Sequence, residues 1–165
     1  SLLSGRPTFA FAGGAAGPRG AIGIGASAFA LEQVTAALPA AQLLPAFERD
    51  AALTLDAVDA RFTAGRCAAA GGKVTAELSV ADLFPEAGNL VLSGAPICDG
   101  ERLLLPLTGQ IAGGDVSLFV RINATGGYDY DLGISVGDPA VQARLAAAGL
   151  TADGSWYRLR GGGAL

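Results

Sequence analysis

Hydrophobic and polar positions alternate with a period of two along much of the chain, most cleanly between Gly113 and Arg160. Val116, Leu118, Val120 and Ile122 fall on one side, with Ser117, Arg121 and Asn123 on the other and Phe119 as the misfit. Further on, Tyr128, Tyr130, Leu132, Ile134 and Val136 oppose Asp129, Asp131, Gly133 and Ser135. Successive side chains leave a pleated backbone on opposite faces, so each run predicts a half-buried strand. Asn123-Ala-Thr-Gly-Gly127 supplies left-handed backbone positions between them, and the two strands read as an antiparallel hairpin. Gly137-Asp-Pro139 then starts a helix with an Asp cap and Pro at the first helical position; Val141, Leu145 and Ala148 line one side and Gly149 ends it. A last strand follows at Trp156–Arg160, and the Gly161–Leu165 tail is expected to fray.

The same grammar recurs upstream. Pro7–Ala12 and Arg19–Ala26 make a first hairpin. Leu53–Phe62 and Lys73–Val80 are strands, as are Asn89–Gly94 and Glu101–Gln110. Pro106 lacks a ladder donor, which suggests an edge or a bulge there. Between Ser27 and Phe47 the period changes. Phe29, Leu31, Val34, Leu38, Leu43, Leu44 and Phe47 recur near helical spacing, and Pro39 divides them, which predicts two short helices or one broken one. Ala81–Asn89 is a turn-rich excursion. The fold class expected is mainly β: one curved antiparallel sheet, a meander or half-barrel, with two or three short α-helices.

Composition sharpens this picture. The 165 residues, 51% hydrophobic and 16% charged, fit one domain spanning 1–165 and exclude disorder. Much of the apolar count is Ala, so Leu, Val, Ile and a few Phe must build the core, and 25 glycines serve turns, bulges and bends. A net charge of −4 disfavours nucleic acid and anionic membrane as partners. No apolar run is long enough to span a bilayer as a helix. The Ser-Leu-Leu-Ser-Gly start reads as the beginning of a soluble piece of something longer.

Candidate chemistry is sparse. The chain has no histidine, which removes His-based triads, metal sites and acid–base steps. Two cysteines, Cys67 and Cys98, admit a disulfide, two buried thiols, or redox and metal chemistry. A bridge would stabilise the fold by about 3–4 kcal/mol in the chain-entropy account. Asp129 and Asp131 share a strand face roughly 6.5–7 Å apart. Paired carboxylates in glycosidases face each other across a cleft, whereas these lie on a wet face, so catalysis is not assigned to them. If the last strand lies beside Tyr128–Val136, Arg158 and Arg160 can meet Asp129 and Asp131 as cross-strand charge pairs. Gly23-Ile-Gly25 lacks the third glycine and the Lys of a phosphate loop, and Asn123-Ala-Thr125 is an incidental glycosylation sequon. No catalytic, cofactor-binding or metal-binding residue is assigned.

Several passages, taken in order, resemble one family. They are the Leu-rich stretch ending near Pro39 and Pro45, Gly65-Arg-Cys67 through Gly71-Gly-Lys-Val74, and Leu92-Ser-Gly-Ala-Pro-Ile-Cys98-Asp-Gly. Leu103-Leu-Leu-Pro-Leu-Thr-Gly109, Gly127-Tyr-Asp-Tyr, Gly137-Asp-Pro139, Leu145-Ala-Ala-Ala-Gly149 and Tyr157-Arg-Leu-Arg-Gly161 complete the set. The ordered set is similar to the periplasmic part of type II secretion system protein N, mainly its later two-thirds. The resemblance implies a non-enzymatic accessory component of the bacterial type II secretion machinery. It implies a periplasmic domain, tethered to the inner membrane by an N-terminal helix that this chain would lack along with the first part of the periplasmic region. An oxidising periplasm in turn implies a Cys67–Cys98 bridge. Partners implied are inner-membrane platform proteins and the secretin, with no cofactor and no ligand residues to carry over. The residues leave a second class open: a lipid- or acyl-chain-binding module using an apolar face of the curved sheet.

Overall fold

The computed structural model describes residues 8–13, 17–25, 28–39, 51–80, 84 and 89–164, with no side-chain detail at 38 and 39. Twelve strands and one helix follow in chain order. They are β1 (Thr8–Ala12), β2 (Arg19–Gly25), β3 (Ala28–Pro39), β4 (Ala51–Thr63), β5 (Arg66–Ser79) and β6 (Asn89–Gly94). After them come β7 (Ile97–Asp99), β8 (Arg102–Ile111), β9 (Gly114–Ile122), β10 (Gly127–Val136), α1 (Pro139–Ala147), β11 (Thr151–Asp153) and β12 (Trp156–Ala164). All strands join one open antiparallel sheet, ordered β1-β2-β3-β4-β5-β6-β8-β9-β10-β12-β11, with β7 also paired to β8. Most neighbours in the sheet are neighbours in the chain, so the order is nearly that of a meander.

The register carries the alternating pattern across the whole sheet. Leu107 faces Leu118, which faces Leu132, which faces Leu159. On the other side Leu55 pairs with Val74 and Ala76 with Leu92. One face is therefore apolar from β4 to β12, and its residues form the main core around Leu92, Leu118, Val116 and Val74. Helix α1 lies over this inner face at one end. Asp138 caps it, its Oδ1 accepting from the Ala140 N–H at 2.8 Å, and Leu145 at 0% exposure anchors it to the core with Leu150. Phe84 joins the same end.

The helix expected from Ser27 is not formed; residues 28–39 are strand β3. The near-helical spacing has a different origin. Between Leu31 and Val34 the strand advances three residues while β4 moves back two, from Ala60 to Val58. This bulge keeps Phe29, Leu31 and Val34 on one side, opposite Phe62, Ala60 and Val58, although their spacing is no longer two. A matching bulge in β4 follows, between Val58 and Leu55. Each bulge is held by a polar side chain of the other strand. The Gln33 N–H donates to Asp59 Oδ1 at 3.0 Å, and the Ala57 N–H donates to Thr35 Oγ1 at 3.1 Å. The expected helical residues Leu43, Leu44 and Phe47 lie outside the described residues.

The bulges form a crease. Gln33 and Ala57 both have positive φ, at 49° and 48°, and Gly72 next to them on β5 sits at 92°. A Cβ on Gly72 would run into the Ala57 carbonyl and lie 2.7 Å from the Val58 Cα, so the crease needs glycine there. The crease separates the main core from a smaller one built on Ala60, Phe62, Cys67 and Leu103.

Two more expectations are corrected. Pro106 is on an inner strand rather than an edge, opposite Phe119, in the interval of β8 between its pairings with β7 and β6. The ladder lapses there, so the missing donor is tolerated. The tail does not fray: Gly161–Ala164 continue β12 against Gly127–Tyr130. Glycines at 161 and 163 leave space for the Tyr130 and Tyr128 rings, whose hydroxyls would stand 2.6 and 2.9 Å from any added Cβ. Finally, β7 and β11 are short strands that the alternation was too brief to signal.

Candidate functional site

The two cysteines meet where a ladder ends. β6 leaves β5 at Gly94, opposite Val74, so the Arg66–Ala70 part of β5 has no β6 partner. The β7–β8 hairpin takes that place. Cys67 and Cys98 are bonded, with Cα atoms 5.5 Å apart and a sequence separation of 31. The Cys67 N–H donates to the Glu101 carbonyl at 2.9 Å, and Arg66 Nε lies 3.3 Å from Glu101 Oε1. The bridge fastens β5 to the hairpin, with Cys67 buried in the smaller core.

The four charged residues singled out from sequence lie on the outer face, though not paired one to one. Asp131 receives both arginines: Arg158 Nη1 donates to Oδ1 and Arg160 Nε to Oδ2, each at 2.9 Å. Asp129 faces Gly162 rather than an arginine in the β10–β12 register, and its partners are Arg102 and Arg121 on the opposite side. Arg121 also reaches Asp99 at 3.8 Å. Arg158 Nε stands 3.2 Å from Asp153 Oδ2, without the alignment of a hydrogen bond, and its guanidinium lies 5.9 Å from the Trp156 ring centre. Burial pushes the Asp131 carboxyl up, but hydrogen bonds and charge from Arg160 and Arg158 outweigh it, and the net shift is below the ordinary carboxylate value. A carboxylate held ionised in this way is the opposite of a general acid. Sequence alone missed Arg102, Arg121, Asp99 and Asp153. The β8–β9 hairpin register, which sets Leu103 opposite Ile122, was the signal that could have found Arg102.

On the inner face, the end away from α1 is left open by the described residues. Phe29, Leu31, Ala60, Phe62, Leu103 and Ile122 line a cavity of about 260 Å³ there, with Asn123 and Gly126 at its rim. Its walls come from β3 and β4 on one side and β8 and β9 on the other. The sheet therefore curves enough for strands with β5 between them to face a common space. A second cavity of about 440 Å³ shares Phe29, Phe62 and Ala124 with the first and extends toward Ile24 and Gly25. Asn123 holds the neighbouring turn: its Oδ1 accepts from Thr125 N–H at 3.0 Å, Thr125 Oγ1 at 2.8 Å and Gly127 N–H at 2.8 Å.

The site is thus one face of an open, creased antiparallel sheet, fastened by a disulfide and apolar on one side. The family model for type II secretion system (T2SS), protein N, matches residues 1–160, and the chain belongs to that family. It is thus a component of the type II secretion system. Searches of curated proteins and of solved structures give no match.

Proposed function

We propose that the 165 residues act as a single periplasmic domain, a non-enzymatic accessory component that works through protein contacts. Its partners in this reading are the inner-membrane platform proteins and the secretin. The observation that carries it is strand β1. Among the described residues this strand ends the sheet order; Phe9-Ala-Phe-Ala12 carries no charge, and Phe9 is 63% exposed. Natural sheets blunt their edges with charge, Pro or a cover, because an apolar edge templates pairing with another strand. Such an edge suits a strand donated by another secretion component, whose main chain would extend the ladder. The Cys67–Cys98 bridge supports an oxidising compartment. Among the described residues no helix is long and apolar enough to cross a membrane. The inner-membrane tether therefore belongs to this reading as a segment outside them.

The test is a photo-crosslinking residue at Phe9 in cells that assemble the machine. A discrete adduct with a secretion component is expected, and Ala10→Pro should abolish it by removing an N–H from the edge. Absence of protein adducts, or adducts indifferent to the proline, would remove the edge from the account. Maleimide trapping in intact cells should find both cysteines oxidised; free thiols would overturn the compartment.

A further inference from the structure

We propose that the cleft at the open end of the inner face holds a single alkyl chain of an amphiphile, with its polar head at the rim beside Asn123. The cleft is bounded by fixed walls: β3 and β4 on one side, β8 and β9 on the other, and the buried Cys67 of the disulfide in the same cluster. Its lining is almost wholly carbon, from Phe29, Leu31, Ala60, Phe62, Leu103 and Ile122. Two cavities adjoin here, sharing Phe29, Phe62 and Ala124 as lining.

The backbone decides between an alkyl chain and a peptide. A bound peptide brings an amide at every residue, and each must find a partner once buried. At the residues that line the cleft, the walling strands are paired on both sides and offer none. β3 lies between β2 and β4, β4 between β3 and β5, β9 between β8 and β10, and β8 is paired to β9 on one side and to β6 and β7 on the other. The turn at Asn123–Gly127 brings polar groups to the rim, and there Asn123 Oδ1 is already taken by three donors. An alkyl chain has no group to satisfy inside and places its polar head where the turn meets water. The open end also contrasts with the far end, where Leu145 and Leu150 already fill the inner face.

This site is separate from the β1 edge. Fatty-acid titration of the purified protein reports on the cleft, and crosslinking at Phe9 reports on the edge, so either can fail alone. The protein with its disulfide intact would be titrated with cis-parinaric acid, a fluorescent fatty acid, below its micelle concentration. A saturable one-to-one rise in emission is expected, competed away by dodecanoate. Ala60→Leu, which fills the cleft from β4, should weaken binding at least tenfold. Ala124→Leu fills it from the turn and keeps the test sound if the first variant fails to fold. Thr108→Leu, on the outer face, should bind as the parent does. Non-saturable emission, or affinity unchanged in both filling variants, would overturn the proposal. So would a probe displaced by apolar peptides but not by dodecanoate, which would make the occupant a protein segment.

Discussion

The two ends of the inner face are built from the same alternation and finish differently. Beyond the crease toward α1, Leu92 and Leu145 have no exposure, and Phe84, Leu90, Val116, Ile134 and Val136 close around them. On the other side Phe62 and Ala60 are buried, but Phe29, Leu31 and Ile122 are only partly so, and a cleft remains between the walls. The strands present apolar side chains equally at both ends. What differs is the third dimension: a capped helix reaches over one end, while a disulfide fastens the walls of the other without filling the space between them. Apolar periodicity specifies a face to be covered; among the described residues, α1 and Leu150 cover it at one end only.

The contrast can be broken by cutting into each end. Leu145→Ala should have the largest effect, a loss of about 3–5 kcal/mol, because it removes a buried side chain and leaves a cavity. Leu31→Ala, half-buried at the open end, should lose only about 1 kcal/mol. Urea unfolding of the two variants checks this, and equal losses would mean that the ends are packed alike. Replacing both Cys67 and Cys98 by Ala should cost about 3–4 kcal/mol, from the loop of 31 positions that the bridge closes. Thermal unfolding measures the loss, and hydrogen exchange should show it concentrated in β7 and the Arg66–Ala70 part of β5.

The crease between the ends gives the next effect. Gly72→Ala forces a side chain into left-handed backbone against Ala57 and Val58, and about 2–3 kcal/mol of destabilisation is expected in the same urea assay. The smallest effect belongs to the outer face. Asp131→Asn should lose about 1 kcal/mol or less at neutral pH, since its partners are partly solvated. Its pH dependence is the sharper readout. The folded carboxyl lies below its ordinary value, so its contribution is present above that value, about 4, and is lost as pH falls through the lowered folded value. The difference between parent and variant should therefore shrink on acidification, as denaturation midpoints from pH 7 to pH 3 would show.

Much of the fold was legible. The β9–β10 hairpin, the first hairpin, and the Asp138-capped helix stand where alternation, turn residues and capping chemistry put them. Each is a local pattern, set by residues a few positions apart. The Ser27 stretch was misread because a bulge adds one residue to a strand and turns a two-residue spacing into three, which imitates a helix over a short window. The tail was misread for a related reason. Three glycines in a row carry no pattern of their own, and Tyr128 and Tyr130, more than thirty positions earlier, give them something to lie under. Of the charge network, the β10–β12 pairing was readable but its offset was not, so Asp131 holds both Arg158 and Arg160 while Asp129 turns to Arg102 and Arg121.

By itself the sequence determined that this is a sheet with one apolar face, and where its tight turns and its Asp138-capped helix fall. These follow from steric and hydrogen-bonding preferences that act within a few residues. Only the tertiary structure decided which strands are neighbours across long connections and where the bulges align into a crease. It also decided that the disulfide stands in for a missing stretch of ladder, and that one end of the inner face is filled while the other holds a cleft. Those features depend on register and curvature summed over many strands, and a shift of one residue in any of them would move every side chain to the opposite face.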